Sequence, residues 1–320
     1  LKRRPWLKIL RVLFQNATAS TWVLDASGAS SSHVPEITTQ QVGMRPRPVS
    51  SGPKLYASQV NAFCRSKQWQ QALVVLAHMW SQQLQADVFS YSAAVTACGR
   101  SKQWRRSLNI ISEMRQRHLE LDVISYSAGI SACGEVGRWQ EALGVLCEMQ
   151  QRRVEPNMIS YSAVITACEK GARWHDALNI LYEMRQQRLA PDVKCYNAAI
   201  SACEKGARWQ EALGMMCEMR QRQIEVNVIS YCAAMSACEK GVRWQEALGM
   251  LCEMQLRQVA PDVISYSGAI SACEKGARWQ EALGMFCEMR QRQIEVNVIS
   301  YCAAMSACEK GVRWQEALGM

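Results

Sequence analysis

Eight tryptophans, Trp69, Trp104, Trp139, Trp174, Trp209, Trp244, Trp279 and Trp314, stand 35 residues apart. Eight tyrosines, Tyr56, Tyr91, Tyr126, Tyr161, Tyr196, Tyr231, Tyr266 and Tyr301, keep the same interval. A fixed period of this length marks an array in which each unit is one supersecondary motif, unable to bury its apolar face alone. Such a chain grows by stacking and not by enlarging one core, so its 320 residues read as one repeat domain, where length alone would suggest two globular ones. With Val123 as position 1 and Asn157 as position 35, seven complete units run from Pro53 to Asn297 and an eighth begins at Val298. Met320 interrupts that unit, so the sequence is expected to be a piece of a longer chain.

Within a unit the pattern predicts two helices. Val123 to Glu135 carries apolar Ile124, Tyr126, Ile130 and Cys133, with Ala128 and Ala132 as strong helix formers. Gly137, and Gly171, Gly206, Gly241, Gly276 and Gly311 one position earlier in their units, are expected to end this helix in the left-handed conformation. Arg138 to Arg152 follows, with Trp139, Ala142, Leu143, Leu146 and Met149 forming a buried stripe at spacings of three and four. Gly144 and its equivalents lie inside this second helix, where glycine costs about 1 kcal/mol relative to alanine, and close approach of neighbouring hairpins is the expected compensation. Pro156, Pro191 and Pro261 keep the second helix from running on. The fold class is therefore all-α, a solenoid of helical hairpins over residues 53–320, with the Trp series expected in the inter-repeat core and not as a base-stacking platform.

Residues 1–52 lack the period. Lys2, Arg3, Arg4, Lys8 and Arg11 interleave with apolar residues, and a Ser/Thr-rich, acid-poor stretch follows, the composition of an organelle transit peptide or of a linker. This segment holds +5 of the net charge of +9, so the array itself is nearly balanced and overall basicity argues little for nucleic acid. The 15 Cys include no C-x-x-C pair and only four His accompany them, so spacing assembles no zinc site. Most Cys recur at equivalent positions, as small buried apolar residues of a reduced compartment do. No apolar stretch is long enough to span a membrane. Ser201 to Met250 matches Ser271 to Met320 except for Met216 against Phe286, a copied two-unit block that should present one surface twice.

The unit Val123 to Asn157 resembles the pentatricopeptide repeat in its length, its Tyr followed by a small polar residue, and its Ala-Leu and Met positions. Tetratricopeptide units have a shorter period and a different opening motif. The resemblance covers residues 53–320 and implies an α-solenoid that binds single-stranded RNA in a mitochondrion or chloroplast, one base per repeat, as a monomer with no cofactor or metal, alongside other RNA-processing proteins. On the first helix, positions 2, 5, 9 and 13 share one side. Position 13 is basic in seven of eight units, namely Arg65, Arg100, Lys170, Lys205, Lys240, Lys275 and Lys310, the exception being Glu135. One cation per hairpin can follow a phosphate backbone, or simply favour a helix C-terminus.

In the family, position 5 and the last residue of a unit read the base. The resemblance carries this to Ala57 with Asp87, Ser92 with Asp122, Ser127 with Asn157, Ser162 with Asp192, Asn197 with Asn227, Cys232 with Asp262, and Ser267 with Asn297. It implies 5′-N-G-A-G-Y-N-A-3′, with little discrimination by Ala57, Cys232 and Cys302. Lys194 departs from the aliphatic residue that flanks the base at position 2, and the last residue also suits an N-cap. Two other functions compete with RNA binding: a tetratricopeptide-like protein scaffold, and an enzyme whose catalytic domain lies beyond Met320. The chain carries no H-x-E with P-C-x-x-C signature and no phosphate-binding loop, so it is expected not to be an enzyme.

Overall fold

The computed structural model describes residues 53–66, 68–81 and 88–311. The leader at 1–52, Asp87 and Trp314 lie outside them, as does the side chain of Ala57. Fifteen helices and no strand are found among the described residues. The first helices of the units are α1 (Pro53–Arg65), α3 (Val88–Arg100), α5 (Val123–Val136), α7 (Met158–Lys170), α9 (Val193–Lys205), α11 (Val228–Lys240), α13 (Val263–Lys275) and α15 (Val298–Lys310). The second helices are α2 (Trp69–Ser81), α4 (Trp104–Gln116), α6 (Trp139–Gln151), α8 (Trp174–Gln186), α10 (Trp209–Gln221), α12 (Trp244–Leu256) and α14 (Trp279–Gln291). First helices of successive units pack side by side, and each second helix packs on its own first helix and on the next one. This is the solenoid of hairpins that the period predicts.

The tyrosine at position 4 is the centre of each interior unit. Tyr91, Tyr126, Tyr161, Tyr196, Tyr231 and Tyr266 are fully buried, with Ile130, Met149, Met184, Met219 and Met254 among the core side chains around them. A buried phenol needs a partner. The hydroxyls of Tyr126, Tyr196, Tyr231 and Tyr266 donate to Glu148, Glu218, Glu253 and Glu288 on the second helix of the same unit, at 3.0–3.2 Å. Those glutamates also accept from position 28 of the preceding unit: Arg115 to Glu148 at 3.2 Å, Arg185 to Glu218, Arg220 to Glu253 at 2.7 Å, and Gln255 to Glu288 at 2.9 Å. One carboxylate thus ties its own hairpin shut and fastens it to the previous one. Burial, with the carboxylate alongside, pushes these four phenols up to about 12.

The tryptophans are half-buried against the core, and each is finished by the following unit. Arg138, Arg173, Arg208, Arg243 and Arg278 lay their guanidinium groups over Trp104, Trp139, Trp174, Trp209 and Trp244 at 4.3–4.6 Å from the ring centroid. The same arginines pair with an acid three residues on, as Arg208 does with Glu211 at 2.7 Å. The ring edge is closed by glycine, and here the sequence expectation fails. Gly171, Gly206, Gly241 and Gly276 have φ between −81° and −86°, and the left-handed residue is the next one, Ala172, Ala207, Val242 or Ala277, at φ 53–56°. A Cβ on any of these glycines would overlap Cδ1 of the preceding unit's tryptophan. Glycine stands there for room, and among the described glycines only Gly137, at φ 76°, is left-handed.

Two further expectations need correction. A Cβ at Gly214, Gly249 or Gly284, inside second helices, would meet nothing within 4 Å, so no close approach of hairpins offsets the cost of these glycines. The buried reading of cysteine holds for the first-helix series Cys98, Cys133, Cys168, Cys203, Cys238, Cys273 and Cys308, but Cys217, Cys252 and Cys287 on second helices are exposed. A 35-residue period copies an outward-facing residue as faithfully as an inward-facing one, so recurrence alone does not report burial.

Candidate nucleic-acid interface

The last residue of each described unit caps the next first helix. Asp122, Asn157, Asp192, Asn227, Asp262 and Asn297 have extended backbone, and each accepts at Oδ1 from the backbone N–H three residues on at 2.8–3.0 Å. In every case but Asp192 the serine at that third position adds its hydroxyl to the same oxygen, at 2.6–3.0 Å. Such caps stabilise a helix by about 0.5–2 kcal/mol. The cap fixes how the side chain is turned. A backbone donor needs an oxygen, so Asn157, Asn227 and Asn297 hold their NH₂ groups away from the helix end.

Position 5 of the same unit reaches this oxygen. Ser92 lies 3.5 Å from Oδ1 of Asp122, Ser127 3.3 Å from Asn157, Asn197 3.3 Å from Asn227, Cys232 3.8 Å from Asp262, and Ser267 3.3 Å from Asn297. Five of the pairs expected from the sequence are therefore in contact. Ser162 does not reach Asp192; its hydroxyl donates to the Ile159 carbonyl at 3.1 Å. The reason lies one unit on. Ser92, Ser127 and Ser267 share a hydrogen with Ser125, Ser160 and Ser300 at 2.7–2.8 Å, whereas Cys195 occupies the corresponding place opposite Ser162. The Cys232 thiol sits 3.3 Å from the Ser265 hydroxyl, and burial raises it to about 11, so it remains a neutral thiol.

Position 2 forms a row of exposed side chains: Phe89, Ile124, Ile159, Ile229, Ile264 and Ile299 are each 58–63% exposed. Lys194 interrupts the row and carries no ion pair among the described residues. Successive members bracket slots. The clearest is a cavity of about 270 Å³ between Ile229 and Ile264, with Cys232 and Asp262 at its back and Ser236 and Glu204 on its wall. Apolar sides with a hydrogen-bonding back suit a flat heterocycle.

Position 13 differs from expectation in its partners. Lys205, Lys240, Lys275 and Lys310 bind Glu169, Glu204, Glu239 and Glu274 of the preceding unit at 2.8–3.1 Å. Lys170 donates to the Glu135 carbonyl at 2.8 Å and lies 3.8 Å from its carboxylate, because position 12 is Gly134 in that unit. Arg100 makes no ion pair among the described residues, since Cys64 stands at position 12 of the preceding unit, and Arg65 makes none among them either. The glutamate ladder was missed in the sequence although its signal, a Glu-Lys pair every 35 residues, is plain. These pairs are solvent-accessible and contribute about 0–1 kcal/mol each, so an incoming anion can compete for the lysines.

A stack of two-helix units that repeats the same side chains along its first helices defines a helical repeat protein with a periodic face. The chain matches the pentatricopeptide repeat domain over residues 74–136, 109–171, 170–205 and 250–310, the PPR repeat family over 191–240 and the PPR repeat over 229–259. It belongs to the pentatricopeptide repeat family. Among solved structures, the pentatricopeptide repeat protein PPR10 from maize is 18% identical with a TM-score of 0.58, over 84% of this chain and 43% of that one. PPR10 in complex with an 18-nt psaJ RNA element is 18% identical with a TM-score of 0.51, over 85% and 45%. This chain thus spans less than half the length of these structures, and at such identity the likeness is one of fold. No curated protein matches the chain.

Proposed function

We propose that the array binds single-stranded RNA along its first helices, one base per slot, with the position 13 cations following the phosphates. The observation that carries this reading is the cavity between Ile229 and Ile264, lined by Cys232 and Asp262, whose elements recur at three other described junctions, between Phe89 and Ile124, Ile124 and Ile159, and Ile264 and Ile299, with Lys194 on one side of the remaining two. A base between two aliphatic side chains gains about 25 cal/mol for each Å² of apolar surface removed from water. Family membership and the RNA complex of PPR10 support the choice of ligand. Family membership also underlies the proposed setting, organellar RNA processing, stabilisation or translation, in which the array is a clamp and performs no catalysis.

The test is fluorescence polarisation with a single-stranded RNA 12-mer and its duplex, across a salt series. Single strands should bind and the duplex should not compete. Arg65, Arg100 and Lys194 have no carboxylate partner among the described residues, and at about −0.7 per phosphate contact they give a slope of log K against log salt near −2. A folded chain that binds neither RNA, that prefers the duplex, or that binds with no salt dependence rejects the proposal.

A further inference from the structure

In the later units the turn between the two helices carries as many acids as cations. Glu169, Lys170, Arg173 and Asp176 cancel, and the same four positions cancel again from Glu204 to Glu211, Glu239 to Glu246 and Glu274 to Glu281. Each of these acids is engaged: position 12 holds the lysine of the next unit, and position 19 holds the arginine at position 16.

The second unit breaks this rule. Arg100, Lys102, Arg105 and Arg106 lie at its turn, and no Asp or Glu occurs from Val88 to Ser112. All four side chains are exposed, and none has an ion pair among the described residues. Position 12 is Gly99, position 16 is Gln103, and Arg106 stands at position 19, where the later units have an acid. Arg106 lays its guanidinium over Trp69 at 3.9 Å from the ring centroid, the cover that position 16 supplies elsewhere. The stacking is kept without the carboxylate that accompanies it in the later units. This contact joins the second turn to the first, where exposed Arg65 extends the same edge. The third unit ends it, with Glu135 and Glu141 against Arg138.

Unmatched cations on one edge repel one another and attract a polyanion. Ser66, Gln68, Ser101 and Gln103 lie among them and offer no apolar anchor of the kind on which a protein partner depends. Arg106 covers the ring of Trp69, and Arg105 and Arg138 that of Trp104, so these indoles are not offered to a base. What remains is recognition of phosphate alone.

We infer that the turn edge of the first two units is a second contact site, which holds the phosphodiester backbone of the strand after it leaves the first-helix slots, whatever its bases. The position 13 row ends on Arg100 and Arg65, which belong to both surfaces. Positions 5 and 13 are about 12 Å apart along the helix, a short reach for the departing strand. The inference rests on the RNA-binding reading and adds a footprint outside the slots.

The experiment uses fluorescence polarisation on the full chain with r(AGAGCAA), one instance of the sequence the resemblance implies, alone or with eight abasic phosphodiester residues added at its 5′ or its 3′ end. A tail at one end only should tighten binding about tenfold at low salt. Contacts to Lys102, Arg105 and Arg106 should steepen the slope of log K against log salt by about 2, at about −0.7 per phosphate contact. Lys102→Gln with Arg105→Gln leaves the stack of Arg106 on Trp69 in place. This variant should melt as the parent does, bind the untailed strand unchanged and lose most of the tail's contribution. Arg153→Gln with Arg188→Gln removes the same charge from exposed positions where Gln223 and Gln258 stand in other units, and should keep the tail's contribution. A tail that has no effect at either end or an equal effect at both, a contribution that survives K102Q/R105Q, or one lost equally in R153Q/R188Q overturns the inference while RNA binding stands. So does a poly-glutamate peptide that cancels the tail's contribution at equal charge, since the edge would then belong to a protein. Failure to bind any of the three strands overturns both.

Discussion

The same substitution, glycine to alanine, should stabilise this protein at one set of positions and destabilise it at another. Gly214, Gly249 and Gly284 lie inside second helices, exposed, with open space where a Cβ would sit. Alanine there recovers the helix-propensity difference of about 1 kcal/mol per site. The three sites share no neighbours, so the triple variant should gain about 3 kcal/mol if the effects add. At Gly206 and Gly241 a methyl group collides with the indoles of Trp174 and Trp209, which neighbouring Arg208 and Arg243 hold from the other side. Since φ is −83° to −86° at these two glycines, alanine is conformationally acceptable and only the collision acts. Overpacking of this kind costs about 1–3 kcal/mol. Thermal and urea melts followed by circular dichroism read both sets, with about 2 °C expected per kcal/mol. A destabilised Gly214→Ala, or a Gly241→Ala that melts like the parent, refutes the account of why each glycine is present.

Three further outcomes follow from the packing. Native-state thiol titration should find four fast cysteines, Cys217, Cys252, Cys287 and Cys302, with the buried first-helix series reacting only after denaturation; rapid modification of Cys238 would show that the core is not closed. Burial holds the thiols of Cys133, Cys168, Cys203, Cys238 and Cys273, and the phenols of Tyr126, Tyr196, Tyr231 and Tyr266, up to about 12. The unfolded chain gives up these protons from about pH 8.5 for thiols and about pH 10 for phenols, so unfolding releases protons above those values and stability, full below about pH 8.5, declines steadily toward pH 12. A urea midpoint that is flat from pH 8 to 11 contradicts this. Val242 is β-branched yet left-handed at φ 56°, and Val242→Gly should raise the melting temperature by relieving about 1–2 kcal/mol of strain.

The period alone discloses the hairpin array, because Tyr and Trp at 35-residue intervals leave few alternatives, and the helix spans follow from apolar spacing within a turn. What escapes is everything that passes between units. Gly206 looks like a helix stop until Trp174, 32 residues earlier, is seen against it. Lys205 looks like a free cation until Glu169, 36 residues earlier, is seen to hold it. These offsets depend on how one hairpin leans on the next, which helical periodicity does not encode. The pairing of position 5 with the last residue of the unit was expected through the family resemblance, and the contact of those side chains at 3.3–3.8 Å is what the fold adds; that Ser162 is turned away depends on Cys195, 33 residues on.

The helix cap has a consequence for how such a chain can diverge. Exchanging Asp262 for Asn alters a single heteroatom on the outward side while the inward oxygen continues to hold the Ser265 amide. A duplicated block like Ser201 to Met250 brings its own caps with it, and a later Asp–Asn exchange there changes the outward atom while the inward hydrogen bond to the next helix is kept. Heredity can edit this surface one letter at a time because the scaffold does not depend on the letter.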